Sequence, residues 1–192
     1  NAHYPSQNIS EKEFLKFKTN FLIKNSPLDL IEEFLINNQV INSYPKLTRH
    51  LVDNYLAESN IKKSCEFFSK IKKPVVDEYL SKFYLYCLVN YGKNDEAQLI
   101  LDLKKELGFQ DEYFENKINY LFGYIEEASK ETSENSILDF HLAHRTNSEF
   151  SFQPNENTSQ LVWKYLSNSN LLPDLTNIDI NEENKISIIE KA

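Results

Sequence analysis

The chain has 192 residues, 41% of them hydrophobic and 26% charged, and a net charge of −8, which is typical of a folded globular protein with one or two domains. The acidic balance argues against nucleic acid and anionic lipid as partners, because both are bound through Lys and Arg. No apolar run approaches the roughly 20 residues that a membrane-spanning helix needs, so no membrane insertion is expected.

Five helices are predicted between residues 10 and 92, each with apolar side chains at helical spacing. The first begins with a capping box, in which the Ser10 side chain accepts from the N–H of Glu13 and Glu13 bonds back. The second, third and fifth helices are predicted to start at Pro27, Pro45 and Pro74, because proline is favoured at the first helical position. The apolar spacing of residues 61–71 places the start of the fourth helix at Ile61, and a left-handed glycine cap ends the fifth helix at Gly92.

Five more helices are predicted after Gly92, with an irregular loop between them. Residues 145–157 are polar apart from Phe150, Phe152 and Pro154, and the two rings are expected to dock on the last repeat. Capping side chains mark the predicted helix starts: Asn94, Asp111, Ser133 or Ser136, Thr158, and Asn181 before Ile186, Ile188 and Ile189.

Two segments of the chain match each other when the sequence is shifted to place Asn54 on Tyr86, an offset of 32. Residues 54–73 and 86–105 then align so that their apolar columns coincide, with Cys65 on Ala97 and Phe67 on Leu99. A period of this size indicates stacked units that bury their apolar faces against their neighbours. We therefore expect an all-α fold. Residues 3–145 would form an antiparallel helical-hairpin stack (an α-solenoid) with a right-handed superhelix, and residues 146–192 an irregular C-terminal cap packed on it.

Leu88 to Leu101, which reads LVNYGKNDEAQLIL, resembles the middle of a tetratricopeptide repeat. Ala97 matches the small residue on the packing face of the second helix, Leu101 matches the large residue one turn later, and Cys65 takes the place of Ala97 upstream. The resemblance covers about residues 44–125 and lacks the tryptophan and glycine of the first helix. The layout is also similar to that of an uncharacterised bacterial helical-repeat family. The resemblance implies stacked helical hairpins that bind peptides or proteins on a concave face.

Two pairs of residues are candidates for metal binding or for a disulfide bond. His141 and His144 lie one helical turn apart and are a candidate for zinc binding. No third ligand is evident, so we favour a hydrogen-bonded or surface pair and expect no metal and no cofactor. Cys65 and Cys87 lie at apolar positions on successive helices. They could form a disulfide in an exported protein, but two buried thiols are favoured.

Catalytic motifs are missing from the sequence. Its 3 glycines provide neither a nucleophile elbow nor a phosphate-binding loop. Its paired carboxylates fall at helix starts, where they favour the helix dipole, or on charged faces. The chain is therefore expected not to be an enzyme.

Tyrosine is abundant, with 11 residues. Such rings give rigid amphipathic contact area, although codon bias that placed tyrosine in the core is the alternative. The sequence thus predicts a non-catalytic module that binds a protein or peptide partner on its concave face, with Asn54, Tyr55, Tyr84 and Tyr91 as contact residues.

Two other functions stay open. The chain could be the helical scaffold domain of a larger envelope enzyme, such as a cell-wall lytic enzyme, or a structural or oligomerisation spacer. The absence of Met suggests a fragment trimmed of a signal peptide or an upstream domain. This favours the bacterial periplasm or cell envelope over the cytoplasm. The oligomeric state is not predicted.

Overall fold

The computed structural model describes residues 9–172. Within this range the fold is all-α, with no strand and these helices: α1 (Glu11–Asn25), α2 (Leu28–Asn38), α3 (Pro45–Ala57), α4 (Ile61–Ser69), α5 (Glu78–Asn90), α6 (Asn94–Glu106), α7 (Glu112–Phe122), α8 (Ile137–Arg145) and α9 (Gln160–Asn168). None of the helices in residues 9–172 combines the length and apolar character that crossing a bilayer needs. The helix predicted after Asn181 lies outside the described residues.

Local capping chemistry sets most helix starts. The Ser10–Glu13 capping box is confirmed, with both of its hydrogen bonds present. Asp111 and Ser136 cap α7 and α8 as predicted. The prediction that Pro74 opens the fifth helix is wrong, because Asp77 caps the N–H of Leu80 and α5 begins at Glu78. A capping carboxylate satisfies an otherwise unpaired helix N–H, which a proline further upstream cannot do.

The corresponding helices of the pairs α3–α4 and α5–α6 begin 33 residues apart, not the 32 expected from the sequence. Helices α3 and α5 have 13 residues each and begin at Pro45 and Glu78. Helices α4 and α6 begin at Ile61 and Asn94, which gives the same offset. The alignment of apolar columns was therefore out of register by a single position.

Turn geometry and burial agree with the offset of 33. Ser59 and Gly92 have positive φ angles of 55° and 71° at the same point of the two turns. Ser64, rather than Cys65, occupies the position of Ala97, and both are fully buried. The small residue that permits close helix approach is thus a serine in the first copy. Phe67, by contrast, is 0% exposed while Leu99 is 61% exposed.

Helix α3 lies at the centre of the structure. It packs against α1, α2, α4, α5, α8 and α9. Three contacts bring α9 back to the end of α3, more than 100 residues earlier in the chain: Lys164 to Glu58 at 2.8 Å, Asn168 to the Ala57 carbonyl at 3.1 Å, and Ser169 to Ser59 at 2.6 Å. The C-terminal helices therefore fold back onto the first of the two equivalent units.

The loop between α8 and α9 packs on α8. The rings of Phe150 and Phe152 stand edge-on to Phe140, with centroid distances of 5.5 and 4.9 Å. Edge-to-face pairs of this kind add to the stabilisation from burial. The predicted docking of the two rings is confirmed, and it fixes the path of the chain into α9.

Candidate functional site

The predicted contact residues on α3 offer little surface. Tyr55 is 1% exposed, its hydroxyl donates to Glu32 at 2.7 Å, and the Lys63 ammonium lies 4.5 Å from its ring centroid. Tyr55, which was predicted to line a binding surface, is therefore buried in this structure. Asn54 is half-buried, and its amide donates to the carbonyl of His50, one turn earlier, at 2.8 Å.

The predicted contact residues of α5 are more open. Tyr84 is half-buried, with its ring 5.9 Å from that of Phe68 and its hydroxyl donating to Glu96 at 3.3 Å. Tyr91, the C-cap of α5, is 46% exposed. Partial burial, with the negative charge of Glu66 as a second cause, raises the pKa of Tyr91. Both rings therefore lie where α5 meets α4 and α6.

The C-terminal helices cover part of the surface that the first helices were expected to offer to a partner. Helices α8 and α9 both pack on α3, and Tyr86 of α5 bonds to His141 of α8 at 2.7 Å. Parts of α3 and α5 are therefore covered by the chain's own C-terminal helices.

His141 and His144 belong to a chain of hydrogen bonds. The Tyr86 hydroxyl bonds to Nε2 of His141, and the Tyr165 hydroxyl lies 2.8 Å from Nδ1 of both histidines. The pair is thus hydrogen-bonded, and both ring nitrogens of His141 are occupied by tyrosine hydroxyls. Among residues 9–172 no group of three or more His, Cys, Asp or Glu side chains is placed to hold a metal ion.

Burial keeps this chain of hydrogen bonds uncharged. Desolvation lowers the pKa of His141 to about 3, and the nearby His144 and Arg145 contribute to the lowering. Burial also raises the pKa of Tyr86 to about 12. Neutral imidazole carries one donor and one acceptor nitrogen, which suits a position between two hydroxyls. The arrangement holds α5, α8 and α9 together.

A second buried polar group joins α3 to α5. Asp53 accepts from the Tyr79 hydroxyl and from Nε of Arg49 at 3.4 Å, and the guanidinium carbon lies 4.0 Å from the Tyr79 ring centroid. Burial raises the pKa of Asp53 to about 6, although both partners oppose the rise. A carboxyl with this pKa could exchange protons near neutral pH, but both of its oxygens already have partners.

Lys82 links α5 to α7 and α8. Its ammonium lies 2.7 Å from Asp111 and 3.8 Å from Oδ1 of Asp139. Burial raises the pKa of Asp139, and Lys82 opposes the rise. Charged groups with so little exposure are stabilised by pairing. The cluster therefore fixes helix positions and leaves no charge directed at an open cavity.

The two cysteines form a disulfide, which corrects the expectation of free thiols. Cys65 of α4 and Cys87 of α5 are bonded, with their Cα atoms 5.2 Å apart, and are 1% and 2% exposed. The bond joins the second helix of the first unit to the first helix of the second. Disulfides persist mainly in oxidising compartments.

An acidic cleft of about 360 Å³ opens beside α2. Its lining residues are Asp29, Glu32, Glu33, Ile36, Asn37 and Lys70. Most of its charge is already matched, because Lys63 lies 2.6 Å from Asp29 and Lys70 lies 2.9 Å from Glu32. The cleft is therefore a weaker binding candidate than its composition suggests.

The outward face of α6 carries exposed leucines. Leu99, Leu103 and Leu107 follow one another at every fourth position and are 61%, 50% and 88% exposed. The residues 33 positions earlier are Glu66, Lys70 and Pro74, but only Glu66 lies within α4, because α4 ends at Ser69 whereas α6 continues to Glu106. The first helix pair thus has a glutamate where the second has Leu99, and the exposure of all three leucines indicates that packing does not require leucine there. The name outer patch is used here for these leucines and the two predicted contact tyrosines of the same helix pair: Tyr84, Tyr91, Leu99, Leu103 and Leu107.

Comparison with known proteins finds no matching family, no matching curated protein and no matching solved structure.

Sequence reasoning predicted Tyr84 and Tyr91 as contact residues but missed the exposed leucines, and for Leu99 the register error is the cause. At an offset of 32, Leu99 aligns with buried Phe67 and looks like core. At an offset of 33, Leu99 aligns with the charged residue Glu66, which indicates an exposed position. The positive φ angles of Ser59 and Gly92 mark the correct register. Gly92 signals such a turn in the sequence, whereas serine rarely adopts this conformation.

Proposed function

We propose that this chain is a non-catalytic helical module that binds a protein or peptide partner through the outer patch. The observation that carries the proposal is the exposure of Leu99, Leu103 and Leu107, of which Leu99 stands where the preceding helix pair has Glu66. Exposed apolar side chains that cluster on one face mark interaction surfaces. Nearby tyrosine rings are typical of binding hot spots.

The architecture that we infer is a pair of stacked antiparallel hairpins, α3–α4 and α5–α6, in a right-handed superhelix of the tetratricopeptide type. The equal lengths of α3 and α5 and the common offset of 33 between the two units support this inference. The fold-back of α8 and α9 onto α3 favours an outer rather than a concave binding face.

The internal bonding of the titratable groups supports a non-catalytic role. A catalytic group needs a position from which it can reach substrate. His141 is enclosed between Tyr86 and Tyr165, and Asp53 between Tyr79 and Arg49.

The experiment is capture of partners from an extract of the source cells by the immobilised protein. We expect the Leu99→Gln/Leu103→Gln variant to lose partners that the wild type retains. The matched control is Glu66→Gln/Lys70→Gln, which alters the equivalent positions of the first unit and is expected to retain them. A Tyr84→Ala/Tyr91→Ala variant tests the aromatic half of the patch. Identical recovery by the wild type and the leucine variant would contradict the proposal.

A second candidate function rests on the disulfide. Because Cys65 and Cys87 are bonded and such bonds persist in oxidising compartments, a location in the bacterial periplasm or cell envelope gains support. There the chain could serve as the helical scaffold of a larger envelope enzyme. A catalytic domain encoded beside this segment in the full gene would favour this function, whereas a spacer would show oligomerisation in sedimentation experiments.

A further inference from the structure

We infer that the partner of the outer patch is an amphipathic helix whose apolar stripe is flanked by Lys or Arg. The inference rests on the proposed function and adds the chemistry of the partner. It is carried by three features of α6: the shape of its leucine ridge, the exposed carboxylates beside the ridge, and the positions of its two lysines.

The leucine ridge has the shape of a helix-packing surface. Leu99, Leu103 and Leu107 lie along one side of α6, and at about 1.5 Å per residue the ridge is about 12 Å long. A convex ridge of side chains one turn apart fits into the groove between the ridges of another helix. Residues 9–172 contain no strand, so this part of the chain offers no sheet edge to an extended peptide. A helix of about two turns is therefore the matching occupant.

Carboxylates accompany the ridge. Asp95, Asp102 and Glu106 are exposed, and each lies three or four positions from one of the leucines, which places them beside the ridge on the helix surface. Asp102 accepts a hydrogen bond from the neutral amide of Gln98 at 2.7 Å. A fourth carboxylate, that of Glu96, lies at the edge near Tyr84.

Nearby lysines offset part of this negative charge. Lys93 pairs with Glu96 at 3.6 Å, and Lys105 interacts with the charge of Asp102 as well as with Glu115 of α7, from which its ammonium lies 2.7 Å away. The Lys104 ammonium lies over the Phe109 ring at 6.0 Å from its centroid. Because Lys105 is shared with Glu115, the carboxylates along the ridge outweigh the lysines beside them, and the border of the ridge carries a net negative charge.

Charge complementarity selects the partner. A helix with leucine-like residues facing the ridge and Lys or Arg at its flanks would bury the apolar stripe and match the carboxylates at the rim. Rim charges of this kind increase the association rate and select against acidic partners, and the net charge of −8 acts in the same direction. A second copy of this chain would bring its own carboxylates to the same rim and is disfavoured.

The test uses two synthetic helical peptides of equal length, one of Leu and Lys and one of Leu and Glu in the same amphipathic pattern. Fluorescence anisotropy measures the affinity of each labelled peptide for the protein. We expect the Leu/Lys peptide to bind and the Leu/Glu peptide not to bind. Leu99→Gln/Leu103→Gln should weaken binding about tenfold or more, because two buried leucine contacts are lost. Asp102→Asn/Glu106→Gln should weaken binding about threefold and reduce its salt dependence.

The matched control is Asp29→Asn/Glu33→Gln, which removes the same charge from the acidic cleft beside α2. We expect this variant to bind the Leu/Lys peptide as the wild type does. An equal loss in this control, no effect of the leucine substitutions, or equal binding of the Leu/Glu peptide would overturn the inference. A dimer in sedimentation experiments that dissociates on Leu99→Gln/Leu103→Gln would also overturn it.

The two proposals fail separately. If native partners are captured through the leucines but the Leu/Lys peptide does not bind, the partner chemistry is wrong and the proposed function stands. If the leucine substitutions leave native capture unchanged, the proposed function itself fails.

Discussion

The units α3–α4 and α5–α6 are equivalent in sequence position but have different surroundings. The first helix of the first unit, α3, is enclosed by six other helices, and Glu66 and Lys70 occupy outward positions at the end of α4. The first helix of the second unit meets α8 through Tyr86, and the outward positions of α6 are leucines that nothing covers within residues 9–172. Two helix pairs with the same spacing therefore differ in how much of their surface the rest of the chain covers.

The largest expected effect distinguishes the two registers of the repeat. At an offset of 32, Phe67 and Leu99 are equivalent and their truncation should have similar effects. At 33 they differ, since Phe67 is 0% and Leu99 61% exposed. Phe67→Ala should lower the free energy of unfolding by about 3–5 kcal/mol, and Leu99→Ala should change it by less than about 0.5 kcal/mol. Urea denaturation of both variants measures the difference. Similar decreases in the free energy of unfolding for the two variants would support the offset of 32 instead.

Removal of the disulfide should have the next largest effect. The bond closes a loop between cysteines 22 residues apart, and the chain-entropy relation gives about 3 kcal/mol for such a loop. Cys65→Ser/Cys87→Ser should therefore unfold at lower denaturant concentration than the oxidised wild type. Mass spectrometry of the denatured but unreduced wild type, treated with a thiol reagent, should find no alkylated cysteine. Alkylation of Cys65 or Cys87 under these conditions would contradict the pairing.

Loss of the Tyr165 hydroxyl should loosen the C-terminal helices. Tyr165→Phe keeps the ring against Phe140 and removes the hydroxyl that both histidines share. The two imidazoles would each lose a partner, which should cost about 1–3 kcal/mol. Hydrogen exchange should increase in α8 and α9 more than in α6. A uniform increase over all helices would contradict the assigned role of the hydroxyl.

The Asp53→Asn substitution should change the pH dependence of the free energy of unfolding in a predictable direction. Burial raises the folded-state pKa of Asp53 to about 6 from an ordinary value of 3.8. Its stabilising contribution is thus present below about pH 4 and is lost as pH rises through about 6, by at most about 1.4 kcal/mol per pH unit. The variant should gain stability relative to wild type as pH rises from about 4 to about 7.

In the wild type, His141 opposes the loss of stability that Asp53 causes in this interval. Its folded-state pKa is lowered to about 3 from an ordinary value of 6.5, so its contribution is present above that ordinary value and is lost as pH falls. Thermal unfolding at several pH values measures both slopes. A stability difference between Asp53→Asn and wild type that does not vary with pH would contradict the raised pKa.

The sequence predicts the features that depend on neighbouring residues. The Ser10–Glu13 capping box, the Asp111 cap and the left-handed Gly92 each need only a few adjacent positions. The all-α fold follows from the same local patterns. The register of the repeat was missed by one position because apolar columns recur often enough in helices to match at more than one offset.

Contacts between residues far apart in the chain could not be predicted from the sequence. The bonds from α9 to the end of α3 join residues more than 100 positions apart, and no local pattern marks either partner. The pairing of Cys65 with Cys87 depends on how α4 approaches α5. The burial of Tyr55 likewise depends on Glu32 and Lys63 from other helices.

The preference for the outer patch as the binding surface depends on the packing of α9 against α3, because this packing covers part of α3. The direct measurement is an engineered cross-link between Ser59 and Ser169, whose hydroxyl oxygens lie 2.6 Å apart. Ser59→Cys/Ser169→Cys, mapped by non-reducing peptide analysis, should form a bond between these positions and retain the native disulfide. The control Ser59→Cys/Ser167→Cys uses an exposed residue two positions earlier and should not. Free thiols at both sites in folded Ser59→Cys/Ser169→Cys, or equal cross-linking in the control, would contradict the account.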